Sequence, residues 1–212
     1  MKDLIIKLKM ARAFFSLVKD PRKTENIFEI ADAARDRRRK AVEISMKPIL
    51  ENEAFLALWN DRYRRSADIK TLRSLPEGSF GRKFAHFLDD HHFQADAFPL
   101  IAPNSPLDYF ASRMRSTHDL WHVLTGYETT ISDELALQAF SLAQVKSPLS
   151  AMIIAGGLLH LVIFKPAEVT NAFELISQGY LRGKACQNLV TIRLEDYWET
   201  SLPEVRAELG LA

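Results

Sequence analysis

The stretch "HDLWHVLTGYETTISDE", residues 118–134, sets two histidines four apart, an aspartate beside the first, and a glutamate twelve residues after the second. On an α-helix His118 and His122 lie about 40° apart and about 6 Å along the axis, with Asp119 about 60° beyond His122. Three side chains within an arc of about 100° can converge on one ion, as the helical histidine pair of metalloproteases does. Glu134 cannot join them on a straight helix, where it would stand about 18 Å further on and about 120° round. The sequence supplies a turn: Gly126 suits the position after a helix C-terminus. Thr129, Thr130 and Ser132 are N-cap candidates for a new helix through "DELALQAF". The stretch therefore predicts an antiparallel helix pair. Its residues admit two readings: an ion cage, or a polar helix face followed by a first-turn acid that the helix dipole favours.

Helical spacing recurs along the chain, only 8 of 212 residues are glycine, and β-type alternation is nearly absent. The expected fold is all-α, a single-domain helical bundle in which the antiparallel pair carries the metal site. Helices are expected near 3–18, 24–47, 51–65, 68–73, 79–91, 105–126, 131–144, 148–164, 167–178, 182–199 and 203–209, with prolines at or near the boundaries. Residues 94–106 read as a loop. Residues 1–50 read as an N-terminal helical arm and 51–212 as the core domain. A chain of this length buries roughly 70% of its unfolded surface and needs no structural metal merely to fold. The lone Cys186 rules out an internal disulfide and reads as a small buried hydrophobe; an intracellular setting fits.

Residues 1–50 carry 13 Lys/Arg against 7 Asp/Glu, leaving 15 against 20 for the remainder. A basic arm suits an anionic partner. Its first helix, with Leu4, Ile5, Leu8, Phe15 and Val18 able to share a face, suits a membrane surface. A solvated helix face is the plainer alternative. No nucleic-acid module or aromatic–basic interleaving is present, so nucleic acid is not an expected partner. The longest apolar run, Ala151–Phe164, has 14 residues, short of the roughly 20 that span a bilayer. No secretory signal is evident.

The HDxxH pair followed by eleven residues and a Glu resembles the signature of the coenzyme Q biosynthesis protein four family, the fourth Coq protein of ubiquinone synthesis. "LPEGSFGRKFAHFL" (75–88), "RMRSTHDLWHVLTG" (113–126) and "LEDYWETSLPEVRAELGL" (194–211) resemble further family blocks. The resemblance covers residues 50–212. It implies that His118, Asp119, His122 and Glu134 bind a divalent metal, with zinc expected. Two imidazoles with carboxylates also suit iron or manganese. It further implies a membrane-associated, lipid-binding, all-helical protein of prenylated quinone synthesis. Other quinone-biosynthesis proteins would be its partners, on the cytoplasmic face of a bacterial membrane or the mitochondrial inner membrane. A homodimer is compatible with this. The family has been assigned both a scaffold role and oxidative decarboxylation at C1 of the prenylated head-group, which would make the chain a metal-dependent decarboxylase or lyase. The sequence leaves catalyst or scaffold open, along with metal identity and tail length.

A prenylated quinone precursor or isoprenoid lipid would find apolar surface at Trp121 and Leu124 and in the 151–164 helix. Gly156 and Gly157 there admit either a tail or another helix. Arg115, one turn before His118, suits a substrate carboxylate or phosphate, or a carboxylate of the cage. His160 reads as a core histidine first and a substrate contact second. Asp119 and Glu134 are the candidate catalytic groups, as metal ligands or as a general base. Two rival readings remain. An HD-type metal phosphohydrolase would need His91 or His92 and Asp196. A zinc protease would need Glu where Asp119 stands.

Overall fold

The computed structural model describes residues 14–20, 39–94 and 102–211. They are all-α, as expected, with no strand among the described residues and one isolated antiparallel bridge, Ser79–Ser201. The helices are α1 (Arg39–Leu50), α2 (Glu53–Asn60), α3 (Ile69–Arg73), α4 (Phe80–Asp90), α5 (Pro106–Thr125), α6 (Ile131–Val145), α7 (Pro148–Phe164), α8 (Val169–Ala185) and α9 (Leu202–Leu209). Short 3-10 turns stand at Pro166–Glu168, Leu189–Thr191 and Leu194–Tyr197. The chain forms two compact units, and both are discontinuous in sequence. The first takes residues up to Lys47 and Glu128–Lys184; the second takes Pro48–Tyr127 and Ala185 onward.

In the first unit α6 and α7 pack together after a two-residue connection in which Lys146 adopts φ 54. Leu135, Leu161 and Ala172 form the centre of the core, with Ile131, Leu158, Val169 and Ile176 packed around it. α8 lies against α6 through glycines four apart. A methyl on Gly179 would meet the Ala136 carbonyl oxygen at 2.2 Å, and one on Gly183 the Phe140 oxygen at 2.5 Å. This explains a departure from expectation. A break was expected between residues 178 and 182, yet α8 runs unbroken, because these glycines serve close packing and the packing offsets their weak helix propensity. Beyond Ala185 the expected helix 182–199 gives way to 3-10 turns, with the Asn188 side chain accepting from the Val190 N–H.

The expected helix 3–18 lies outside the described residues through 13. Residues 14–19 are helical, with Leu17 and Val18 buried and Phe15 exposed, so Phe15 does not share the buried face. The expected helix 24–47 is described only from Arg39, and α1 continues through Pro48 to Leu50. So late in a helix, proline removes one intrahelical bond and leaves little helix to disrupt.

The second unit is built around α5. α4 and α9 pack on it and on each other. Trp198 stacks on Phe80 and Phe84 of α4, centroids 5.4 and 5.6 Å away. The Phe80 N–H donates to the Thr200 oxygen at 2.8 Å, the Gly81 N–H to the Trp198 oxygen at 2.9 Å, and the Leu202 N–H to the Gly78 oxygen at 2.9 Å. The sequence blocks 75–88 and 194–211, far apart in the chain, are thus hydrogen-bonded neighbours. A buried pair, Arg113 with Glu195, ties the middle of α5 to the Leu194–Tyr197 turn.

Candidate metal centre

α5 starts where the Ser105 side chain accepts from the Asp108 N–H, with proline in its first turn. It ends at Gly126, φ 76, whose N–H donates to the His122 carbonyl at 2.7 Å. Arg206 of α9 donates from Nε to the Leu124 carbonyl at 2.8 Å and from Nη2 to the Val123 carbonyl at 2.9 Å. The last turn, which carries His122, is therefore held by backbone and side-chain donors together.

His118 and His122 stand edge to face, ring centroids 4.9 Å apart and planes at 85°. His118 is half-buried and His122 is 2% exposed. The His122 Nδ1–H donates to the Tyr127 carbonyl at 2.8 Å. A carbonyl can only accept, so the bond fixes the tautomer and leaves the Nε2 lone pair for a ligand. Phe87 of α4 stacks on the same ring, centroids 5.3 Å apart and planes at 21°, and fixes its rotation. Neither Phe87 nor the Tyr127 carbonyl was legible as a partner: the first comes from another helix, and the second is a main-chain group. Asp119 and Arg115 are half-buried on α5.

In the first unit, Glu134 is half-buried in the first turn of α6. That helix begins at Thr130, whose hydroxyl oxygen accepts from the Asp133 N–H at 3.2 Å. The end of one helix at Gly126 and the N-cap of the next at Thr130 are as the sequence predicts.

The lipid-contact candidates are engaged by protein. Trp121 and Leu124 are fully buried. A methyl on Gly156 would meet Leu17 at 2.9 Å, and one on Gly157 would meet Leu135 at 2.4 Å, so leucine side chains fill the space beside both glycines. His160, 9% exposed, donates its Nδ1–H to the Val18 carbonyl at 2.8 Å, the core role expected of it first. Of the phosphohydrolase set, His91 packs on Phe87, centroids 4.6 Å apart, and Asp196 pairs with Arg65 at 3.1 Å. Neither they nor His92 belong to a potential metal group among the described residues. Cys186 is half-buried.

The family model described as coenzyme Q (ubiquinone) biosynthesis protein Coq4 matches residues 6–212. The chain belongs to the Coq4 family. The match takes in most of the first 50 residues, in which the sequence showed no family block. Among similar curated proteins, the mitochondrial ubiquinone biosynthesis protein coq4 of Talaromyces stipitatus is 33% identical over 66% of this chain and 48% of its own. The mitochondrial COQ4 homologue of Bos taurus is 32% identical over 68% of this chain and 54% of its own. The chain thus spans about half the length of these Coq4 relatives. A crystal structure of a candidate ubiquinone biosynthesis protein from Nostoc punctiforme has the same fold, with TM-score 0.82 and 24% identity, covering 97% of this chain and 98% of that one.

Proposed function

We propose that the chain is a metal-dependent protein of ubiquinone biosynthesis, with one divalent cation held by His118, His122 and Glu134, and that it carries out C1 oxidative decarboxylation of a prenylated aromatic precursor with dioxygen as the oxidant: the ring–carboxyl bond breaks to release CO2, one oxygen atom forms the new C1–O bond, and the other leaves as water with the carboxyl and phenol protons. The observation that carries the reading is the prepared histidine pair: two imidazoles on one helix face, one with its Nδ1–H committed to a main-chain carbonyl and its ring stacked on Phe87. Glu134 is proposed as the carboxylate partner of these two imidazoles, with Asp119 on α5 as a further candidate. Two neutral nitrogens and a carboxylate suit zinc, and equally ferrous iron or manganese, with coordination positions left for water or substrate.

Bound there, the cation supplies Lewis acidity to a head-group oxygen. His122 would present Nε2 and His118 a ring nitrogen. Glu134 contributes negative charge and completes the ligand set. Asp119, beside the ligands on α5, would serve as a further ligand or as a general base for a head-group proton. Arg115 meets the carboxylate that is to leave. Family relatives are named as mitochondrial ubiquinone biosynthesis proteins, which supports a place beside other quinone-biosynthesis proteins, peripheral to a membrane. Among the described residues no helix is long and apolar enough to cross one. Val162, Ile163 and Phe164 of α7 and Phe173 and Leu181 of α8 are exposed in the first unit, an apolar surface suited to lipid.

One observation favours a second reading, a non-catalytic lipid-binding scaffold. Leu17 and Leu135 occupy the space beside Gly156 and Gly157, which leaves a tail to bind at the exposed surface. Substitution of Asp119 or Glu134 by Ala, with metal content, melting temperature, partner binding and pathway product measured together, separates the two. Lost product with fold and partners intact supports the enzyme. Lost assembly on metal removal supports the scaffold.

A further inference from the structure

α5 has a second polar face. Ser112, Ser116 and Leu120 lie about half a turn round the helix from His118 and line a cleft of about 110 Å³ within the second unit. Arg62, Arg64, Ser66 and Arg113 line it as well. At about 30 Å³ per water it holds roughly four waters' worth of ligand. That volume suits one compact polar group.

The charges in the cleft are unequally compensated. Arg113 and Glu195, 3% and 5% exposed, form a two-pronged pair. The Arg113 Nε has no hydrogen-bond partner among the described residues. Arg65 is paired with Asp196 at 3.1 Å. Arg62 is held in place but not neutralised: its guanidinium lies 3.7 Å from the centroid of the Trp59 ring and donates to the Pro103 carbonyl at 2.8 Å. Neither Arg62 nor Arg64 has a carboxylate partner among the described residues, and the Ser66 and Ser112 hydroxyls make no hydrogen bond among them. Arg62 stands at φ 51, closing the turn after α2, where glycine would sit without strain.

We propose that this cleft binds a compact oxyanion, a phosphate or carboxylate group, through Arg62 and Arg64 with the hydroxyls of Ser66 and Ser112. Guanidinium forks match the planar or tetrahedral oxygens of such groups. Arg62, Arg64 and Ser66 are exposed and Ser112 is half-buried, so the cleft is open to an anion from solvent. The Tyr63 phenol in the same wall is pushed above its usual range, chiefly by burial and then by the charge of Glu195, so it stays neutral and does not repel an anion. This site shares no side chain with the metal reading.

The test is calorimetric titration of the full chain, with chelator present and ionic strength fixed, using inorganic phosphate and benzoate. Vesicles of phosphatidylcholine with and without phosphatidic acid form a third arm. The expected result is saturable binding, weakened about tenfold in Arg64→Gln, the loss of one charge-assisted hydrogen bond. Arg62→Gly should weaken it similarly while keeping its fold, since glycine takes φ 51 freely. Arg182→Gln and His118→Ala should leave it unchanged. Binding to the soluble anions assigns a free small molecule as the source, and Arg64-dependent binding confined to phosphatidic acid vesicles assigns a lipid head-group. No saturable binding in any arm, or equal affinity in wild type, Arg64→Gln and Arg62→Gly, would overturn the proposal.

Discussion

His122 shows how much a single ligand side chain needs around it. Its carbonyl accepts from Gly126, its Nδ1–H is tied to Tyr127, and Phe87 covers one ring face. Removing Phe87 frees the ring to rotate without touching a ligand. Phe87→Ala should therefore lower zinc affinity by about tenfold or more, the usual effect of losing support around a ligand; an unchanged affinity in dye competition would deny the ring that role. Gly179 is the opposite kind of residue, important for what it lacks. Gly179→Ala drives a methyl into the Ala136 carbonyl and should cost about 1–3 kcal/mol in denaturant unfolding. An unaltered midpoint would mean that α6 and α8 are not in close contact there. The histidine spacing and the Gly126 turn were legible in the sequence because each follows from one residue's local chemistry. The Tyr127 carbonyl was not, since every residue has one.

At the scale of elements, the ion pair of Arg113 and Glu195 joins α5 to the C-terminal turns. Cutting one partner leaves a buried charge. Arg113→Met should thus cost about 3–5 kcal/mol, while the double variant with Glu195→Leu should recover much of it. Additive losses in the double-mutant cycle would show that the two groups do not depend on each other. Sequence reasoning placed α5, α6 and α7 to within about a residue, because capping residues mark both ends of the first and the start of the second, and prolines begin the first and third. It divided α8 wrongly, since the value of Gly179 and Gly183 lies on another helix. It extended a helix through 186–199, since apolar spacing cannot tell a helix from successive 3-10 turns whose leucines are buried.

On the scale of the whole molecule, the chain folds as two discontinuous units. Each has apolar side chains enough for its own interior, so a metal is not needed to hold either together. Removing it with a chelator should lower the melting temperature without abolishing cooperative unfolding. The expected loss is about 2.7 kcal/mol if the ion was present at a hundred times its Kd. A chain left unfolded by chelator would point to a structural metal instead. That the chain would be all-α was legible from its composition and periodicity. Which segments would combine into which unit was not, because the division depends on pairings between residues more than a hundred positions apart.

The most direct test of the ion cage is a zinc titration, by dye competition, of the wild-type chain and of Glu134→Ala and His118→Ala. Each variant's fold is checked by its melting profile with chelator present. The ligand set predicts a single tight equivalent in the wild type and a loss of about tenfold or more in each variant. Equal stoichiometry and affinity in Glu134→Ala would contradict it and leave the histidines without their carboxylate.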